Sequence, residues 1–519
     1  MTGQSVETAR RLVDRLLGCG VTDAVLSPGS RSGPLALALH AADQQGLLRL
    51  HVRVDEREAG FLALGMAKVQ QRIVPVVTTS GTAVANLHPA VLEALHAGVR
   101  VLAVTADRPG RLRGTGANQT TDQVGIFPGV SRLAAVGDLG MMDGPAHLNL
   151  EFDEPLIEPT DWVFSVDAPP VAQPTSPRIV RLDCVQRTVV VAGDGAGQQA
   201  VGVAEAAGWP VLAEPTSGAR TGPNALASYR LLLQHAPVAS EIQRVVSFGH
   251  CTLSRPVTAL LSRTDIDIVH IGDQTTFPVP ANENVRFTDV VETDGIAMPE
   301  WLTKWRRADA LASAAINNSL DGGTPLNVAA AVDTAVGHSG LLVIGSSSPV
   351  RDLDLIATAG TADREVMGNR GLAGIDGVLS TAIGAALARP GRAIAHVGDL
   401  TFLHGSNGLL IGPHEPRPDL TIVVSNDDGG SIFSTLEQGA ADFAEAFERV
   451  YATPTGAGLA ALCEGYGVSH RRVAVSELSD ALTSTPQGIE VIEVEVDRAG
   501  RRDLMARISA AVAAALNSR

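Results

Sequence analysis

Residues 393–399, AIAHVGD, form an apolar run that ends in Gly398-Asp399. A second apolar run, LTIVVSNDDGG at 420–430, ends in Asn426-Asp427, about 27 residues after the first tip. As neighbouring parallel strands, the two runs would deliver both polar tips to one edge of a sheet, where ligands bind. Gly398 would let a diphosphate approach the backbone closely. Asp399, with a carboxylate or amide from 426–427, could hold one Mg2+, completed by a backbone carbonyl just beyond and by phosphate oxygens. Alone, a Gly-Asp pair reads as a strand-to-helix turn with Asp as N-cap; the paired spacing makes it a candidate site. A second string, AGDGAG at 192–197, has similar letters, but the Asn224 about 27 residues on has no apolar strand before it. It reads as a Gly turn, with a relic nucleotide site as the alternative.

The surrounding pattern says what positions these tips. In the first part of the chain, apolar strands alternate with helix-spaced segments: VTDAVLSPGSRSGP (21–34), HVRVDEREAGFLALGMAKV (51–69), IVPVVTTSGTAVANLHPAVLEA (73–94) and VRVLAVTADRP (99–109). Such alternation predicts an α/β fold with doubly wound parallel sheets. The tips SPGSRS, DERE, TSGT and TADRP all fall at C-terminal strand ends. A stretch at 153–178 with six prolines reads as a linker. A second α/β segment opens with RTVVVAGDGAG (187–197) and ends in a loose region at 273–300 and a long helical stretch over about 301–336. A third opens at GLLVIGSSSPVRDLDL (340–355). Three domains are expected, at 1–180, 181–336 and 337–519.

Composition narrows the function classes. The 519 residues are 45% apolar and 18% charged, an ordinary globular balance. Aromatics at 3% argue against a base-stacking surface, and a net charge of −16 against a broad phosphate-binding face, so no nucleic-acid partner is expected. An acidic chain binds anions only where Arg is locally concentrated. Cys19, Cys184, Cys251 and Cys463 form no CxxC pair, which fits a reducing cytoplasm. No run of 18 apolar residues is present, so no membrane span is expected.

The paired tips resemble the fingerprint of thiamine diphosphate (ThDP) enzymes, GDG followed by NN, with Leu400 in place of the last Gly and Asp427 in place of the second Asn. SPGSRSGPLALAL, DEREAGFLALGMAK, TSGTAVANLHPAVLEA, TADRPGRLRGTGANQT, GNRGLAGIDGVLSTAIG and SNDDGGSIF resemble more narrowly the ThDP carboligases of menaquinone biosynthesis. In that group a GDL variant is usual. The resemblance covers both outer segments in order and the middle only weakly.

The resemblance implies pyrimidine-binding, central and diphosphate-binding domains. It also implies a decarboxylating addition of 2-oxoglutarate to isochorismate. Asp399 and Asp427 would be the side-chain ligands of Mg2+ (or Mn2+), and Gly429 the carbonyl ligand, with Asn426 competing for the second role. Ser80, Gly81, Gly398, Leu400, Asn426 and Ile432 would line the cofactor. Asp55, Glu56 and Glu58 could each serve a helix dipole; only the family register selects Glu56 as the carboxylate on the pyrimidine nitrogen. Ile375 would be the wedge that bends the cofactor. Two dianionic substrates call for guanidinium groups: Arg31, Arg108, Arg351, Arg370 and, from the middle segment, Arg255. Ser30, Asn118, Gln119, Ser347, Phe433 and Leu436 would surround the substrates, with Gln119 near the reacting centre. A homodimer or dimer of dimers is implied, with each site formed by two subunits. An acetolactate-synthase-like enzyme and a noncatalytic metabolite-binding regulator are the competing readings.

Overall fold

A computed structural model describes residues 3–166, 176–295, 298–320, 322–356, 360 and 363–518. Part of the expected linker, 167–175, lies outside them. The chain forms two compact units. The first comprises Met1–Pro174, Gly371–Pro390 and His404–Pro418; the second comprises Thr175–Arg370, Gly391–Leu403 and Asp419–Arg519.

In the first unit, strands β1 (Asp23–Leu26), β2 (Arg49–Val52), β3 (Val74–Thr78), β4 (Val101–Asp107), β5 (Ser131–Arg132) and β6 (Ala146–Glu151) make one sheet in the order β2-β1-β3-β4-β6-β5. Every pairing is parallel. β1, β3 and β4 are buried along their whole length, as strands covered on both faces must be. The Gln4–Gly18 helix packs Leu12, Val13 and Leu16 with Leu35, Leu39, Leu102 and Val104.

Two helices of this unit meet at backbone distance. A Cβ on Gly65, in the Glu56–Gln70 helix, would lie 2.1 Å from the Thr381 carbonyl oxygen of the Val378–Ala388 helix. A Cβ on Gly384 would lie 2.2 Å from the Leu62 oxygen. The contact therefore tolerates only hydrogen at both positions. Gly65→Ala is expected to cost about 1–3 kcal/mol by overpacking, visible as a lower denaturant midpoint at unchanged m-value.

The second unit holds three sheets. Strands β8 (Thr188–Ala192), β9 (Val211–Ala213), β10 (Arg244–Phe248), β11 (Asp267–Ile271) and β12 (Val285–Thr288) run β12-β11-β10-β8-β9. β7 (Ile179–Asp183) pairs with β13 (Val290–Asp294). β14 (Leu341–Ile344), β15 (Glu365–Met367), β16 (Ala393–Gly398), β17 (Leu420–Asn426), β18 (Ser469–Val473) and β19 (Ile489–Glu495) run β15-β14-β16-β17-β19-β18, all parallel.

Two expectations for the middle segment change. The loose region over 273–300 contains β12 and β13. The helix expected over 301–336 is two helices, Pro299–Asn318 and Pro325–Val336. Gly322 and Gly323 disfavour helix between them. Thr324 then starts the second, its hydroxyl donating to Asn327 Oδ1 at 2.6 Å.

Candidate active site

The order β15-β14-β16-β17 reverses between β14 and β16, and a crevice opens beyond such a switch point. There β14 is followed by Ser346 and Ser347, and β16 ends in Gly398. A Cβ on Gly398 would find only Ser347 Oγ, at 3.9 Å, so the backbone here has room beside it. Asp399 is 3% exposed, and its Oδ2 accepts the Gly429 N–H at 2.8 Å. Burial, and next the Asp427 carboxylate, raise Asp399 to about 7. Burial likewise raises Asp427 to about 6, and its Oδ1 is buried without a partner. Two acids pushed toward neutrality, one with an orphaned oxygen, fit a cation. Asn426 is already engaged: its amide donates to Glu493 Oε1 at 2.7 Å and its oxygen accepts the Asp428 N–H at 3.0 Å. Among the described residues no cluster of three or more His, Cys, Asp or Glu side chains could hold a metal by itself. Two carboxylates with phosphate oxygens completing the shell is how Mg2+ is commonly bound.

Around this crevice the second unit places cations. Arg351 donates from Nη1 to the Ser346 and Ser347 carbonyls at 3.2 and 2.8 Å. Burial, and next the charge of Arg370, pull it down to about 10. Arg370 is buried with Nη1 unpartnered, and the neighbouring Asn369 has neither side-chain polar atom bonded. Half-buried Ile432, Phe433 and Leu436 sit on or just after the Ser431–Thr435 turn. A cavity of about 430 Å³ is lined by Arg230, Arg255, Arg351, Ile432, Leu436 and Arg501. Arg255 is exposed and pairs with Glu437 at 2.7 Å.

In the first unit the switch point lies between β1 and β3. Asp55 caps the Glu56–Gln70 helix, its Oδ1 accepting the Arg57 and Glu58 amides at 3.0 and 3.2 Å. Glu56 is thereby the first helical residue, half-buried, and accepts from Asn86 Nδ2 at 3.1 Å. Ser80 is buried, and Gly81 (φ +81°) donates its amide to Gln123 Oε1 at 2.9 Å. Gln119, itself at φ +50°, crosses above: a Cβ on Gly81 would sit 3.2 Å from Gln119 Cα. Arg108 grips Asn118 through the backbone oxygen at 2.8 Å and Oδ1 at 2.5 Å. Arg31 donates to the Phe152 carbonyl at 3.0 Å, and Ser30 is exposed at the loop tip. Ile375 is half-buried in the 371–377 loop.

Several residues here escaped the sequence reading. Buried Glu93 accepts the Gly371 and Leu372 amides at 2.6 and 2.7 Å, tying down the start of the Ile375 loop. Gln123 is fully buried beneath Gly81. Glu58 is 1% exposed and accepts from Ser380 Oγ at 2.6 Å. In sequence these look like ordinary helix or loop polar residues; only the partner across the fold reveals them. Burial lifts Glu58 to about 7, against 4.5 in an unfolded chain. The folded state thus holds this proton more tightly. Stability is unaffected by the group below pH 4.5, falls as pH rises toward 7, and is lower by up to about 3 kcal/mol above it. Glu58→Gln is expected to remove that slope, read as the difference between wild-type and variant denaturant midpoints at pH 5 and pH 8.

The 192–197 string also has its explanation. In the middle sheet the switch point lies between β8 and β10. A Cβ on Gly193 would lie 2.3 Å from the His250 carbonyl carbon, and one on Gly249 would lie 2.4 Å from the Asp194 oxygen. Asp194 and His250 form a backbone bridge. The two loops cross at contact distance beyond that switch point. Gly193 and Gly249 serve that crossing, whereas Gly195 and Gly197 take the left-handed turn at φ +78° and +66°.

Residues 6–126 match the model of the thiamine pyrophosphate enzyme N-terminal TPP-binding domain, and residues 357–494 that of the C-terminal TPP-binding domain. The two matched segments contain Glu56 and Asp399, each placed at a strand end by its own sheet. Over 97% of its length the chain is 50% identical to a 2-succinyl-5-enolpyruvyl-6-hydroxy-3-cyclohexene-1-carboxylate synthase of Nocardioides sp., covering 97% of that protein. It is 45% identical to the enzyme of that name from Kineococcus radiotolerans, and 43% identical to that from Saccharopolyspora erythraea, covering 99% of each chain in both cases. The chain belongs to this family of ThDP enzymes.

Proposed function

We propose that the protein joins 2-oxoglutarate to isochorismate with loss of CO2, using ThDP and Mg2+, as a step of menaquinone biosynthesis. The observation that carries this reading is a pair of raised acids at a strand-end crevice, buried Asp399 and half-buried Asp427 with its orphaned Oδ1, beside the buried Arg370 and the half-buried Arg351. ThDP, when bound, supplies the electron sink that makes decarboxylation of a 2-oxo acid accessible.

The chain's own residues do the rest. Asp399, Asp427 and the Gly429 carbonyl hold the metal, and Gly398 and Leu400 make room for the diphosphate. Asn426, engaged by Glu493, braces the loop instead of ligating. Ser80, Gly81, Ile375 and Ile432 shape the cofactor pocket, and Glu56 holds a proton at the pyrimidine nitrogen. Arg351 and Arg370, with Arg31, Arg108 and Arg255, receive the substrate carboxylates. Ser30, Asn118, Gln119, Ser347, Phe433 and Leu436 orient the two acids and keep water out. Arg-lined pockets favour dianions over pyruvate, which weighs against an acetolactate-type carboligase.

In this reading residues 1–180, 181–336 and 337–519 are pyrimidine-binding, central and diphosphate-binding domains. Each site combines Glu56 of one subunit with Asp399 of another, in a homodimer or dimer of dimers. The unpaired cysteines fit a cytoplasmic enzyme; among the described residues no helix is long and apolar enough to cross a membrane. The deciding assay follows isochorismate absorbance with purified protein, ThDP, Mg2+ and 2-oxoglutarate. Consumption that requires all three additions is expected; none under any combination would refute the reading.

A further inference from the structure

Beside the arginines of the second unit lies a buried acid that the scheme above leaves unused. Glu214 follows β9 directly and is 1% exposed. Its Oε1 accepts the Leu253 N–H at 2.9 Å, and its Oε2 is buried without a hydrogen-bond partner. The residue before Leu253 is Thr252, whose Oγ1 accepts from Arg370 Nη2 at 3.2 Å. The other terminal nitrogen of Arg370, Nη1, is buried and unpartnered. Burial raises Glu214 to about 8, and among charged neighbours Arg370 acts on it most strongly.

A glutamate is costly to bury for the sake of packing. Leu253 would also keep its partner if Gln stood there. What this arrangement adds is a line of contacts: a carboxyl fixes the 252–253 backbone, that backbone fixes a hydroxyl, and the hydroxyl fixes one branch of a guanidinium. Arg351, close enough to feel Arg370, is bonded among the described residues to the Ser346 and Ser347 backbone carbonyls. Repulsion between the two cations would turn Arg370 away unless something held it.

We propose that Glu214 is a positioning residue which, through the 252–253 backbone and the Thr252 hydroxyl, aims Arg370 so that its free Nη1 meets a substrate carboxylate. This rests on the reading that Arg370 binds one of the two acids. Glu214 touches neither cofactor nor substrate.

The test is a double-mutant cycle on the holoenzyme with KM measured for both acids. Arg370→Ala identifies the acid concerned. Glu214→Leu is expected to raise the KM of that same acid roughly tenfold, as for a lost charge-assisted contact, with kcat and ThDP affinity within about threefold. In the Arg370→Ala background, Glu214→Leu should add less than about twofold. Glu214→Gln, which keeps an oxygen for the Leu253 amide, should recover most of the loss. Thr252→Val should reproduce the effect with little disturbance of packing, so the proposal stays open to refutation if Glu214→Leu fails to fold. Independent, multiplying effects of the Glu214 and Arg370 changes would overturn it, as would an unchanged KM in Thr252→Val. If the wild-type holoenzyme turned over neither acid, the reaction itself would be refuted. The same cycle would then be read from calorimetric Kd values for each acid, undisturbed by turnover.

Discussion

Glu56→Gln should lower kcat by about 10²–10⁴-fold, the range usual for loss of a proton-transfer group, while ThDP affinity stays within a few-fold. The reason is local. Asp55 takes the capping role, bonding the Arg57 and Glu58 amides, and Glu58 turns inward to Ser380. Glu56 is left half-buried with one contact, to Asn86, which a glutamine oxygen also satisfies. The helix therefore survives the change, and what is lost is the ability to hold a proton. Steady-state kinetics and calorimetric ThDP binding on the same preparation separate the two effects. A variant that turns over at the wild-type rate would remove Glu56 from the mechanism and favour a noncatalytic regulator.

Asp399→Ala should act at the other end, on binding. Its carboxylate is 3% exposed and faces Asp427. Removing one charged ligand from a buried cation costs about 3–5 kcal/mol, so Mg2+-dependent ThDP affinity should fall by about 10²–10⁴-fold. Unchanged affinity by calorimetry would refute the ligand assignment. The two variants together also test the subunit arrangement. If each site draws Glu56 from one subunit and Asp399 from another, a mixed dimer of Glu56→Gln and Asp399→Ala contains one intact site and one doubly damaged one. After subunit exchange, about a quarter of wild-type activity should return for a symmetric dimer. If both residues of a site came from the same chain, mixing two inactive proteins would restore nothing.

The parallel sheets and the strand-end loops were legible because buried parallel strands write themselves as unbroken apolar runs, as in VVV at 189–191 or IVV at 422–424. Asp399 and Asn426 could be paired by spacing alone, since adjacent strands share an edge. Glu56, by contrast, needed the family register. Three acids stand within four residues, and nothing in the string says that Asp55 caps and Glu58 is buried. Glu93, Gln123 and Glu214 stayed hidden because each is defined by a partner between 39 and 278 positions away. The break at Gly322-Gly323 was visible but outweighed by the helical period on either side. The 192–197 turn shows the opposite failure: Gly193 marks a close approach, yet only the fold says what approaches.

That crossing at Gly193 and Gly249 has a further meaning for how the molecule can change. The strand-end segment that makes this crossing runs straight on from His250 to Thr252 and Arg255, so one stretch of chain both ties two strand ends together and furnishes a neighbouring compartment. Neither task can be rewritten alone. A lineage or an engineer untying the crossing would unfurnish the compartment in doing so.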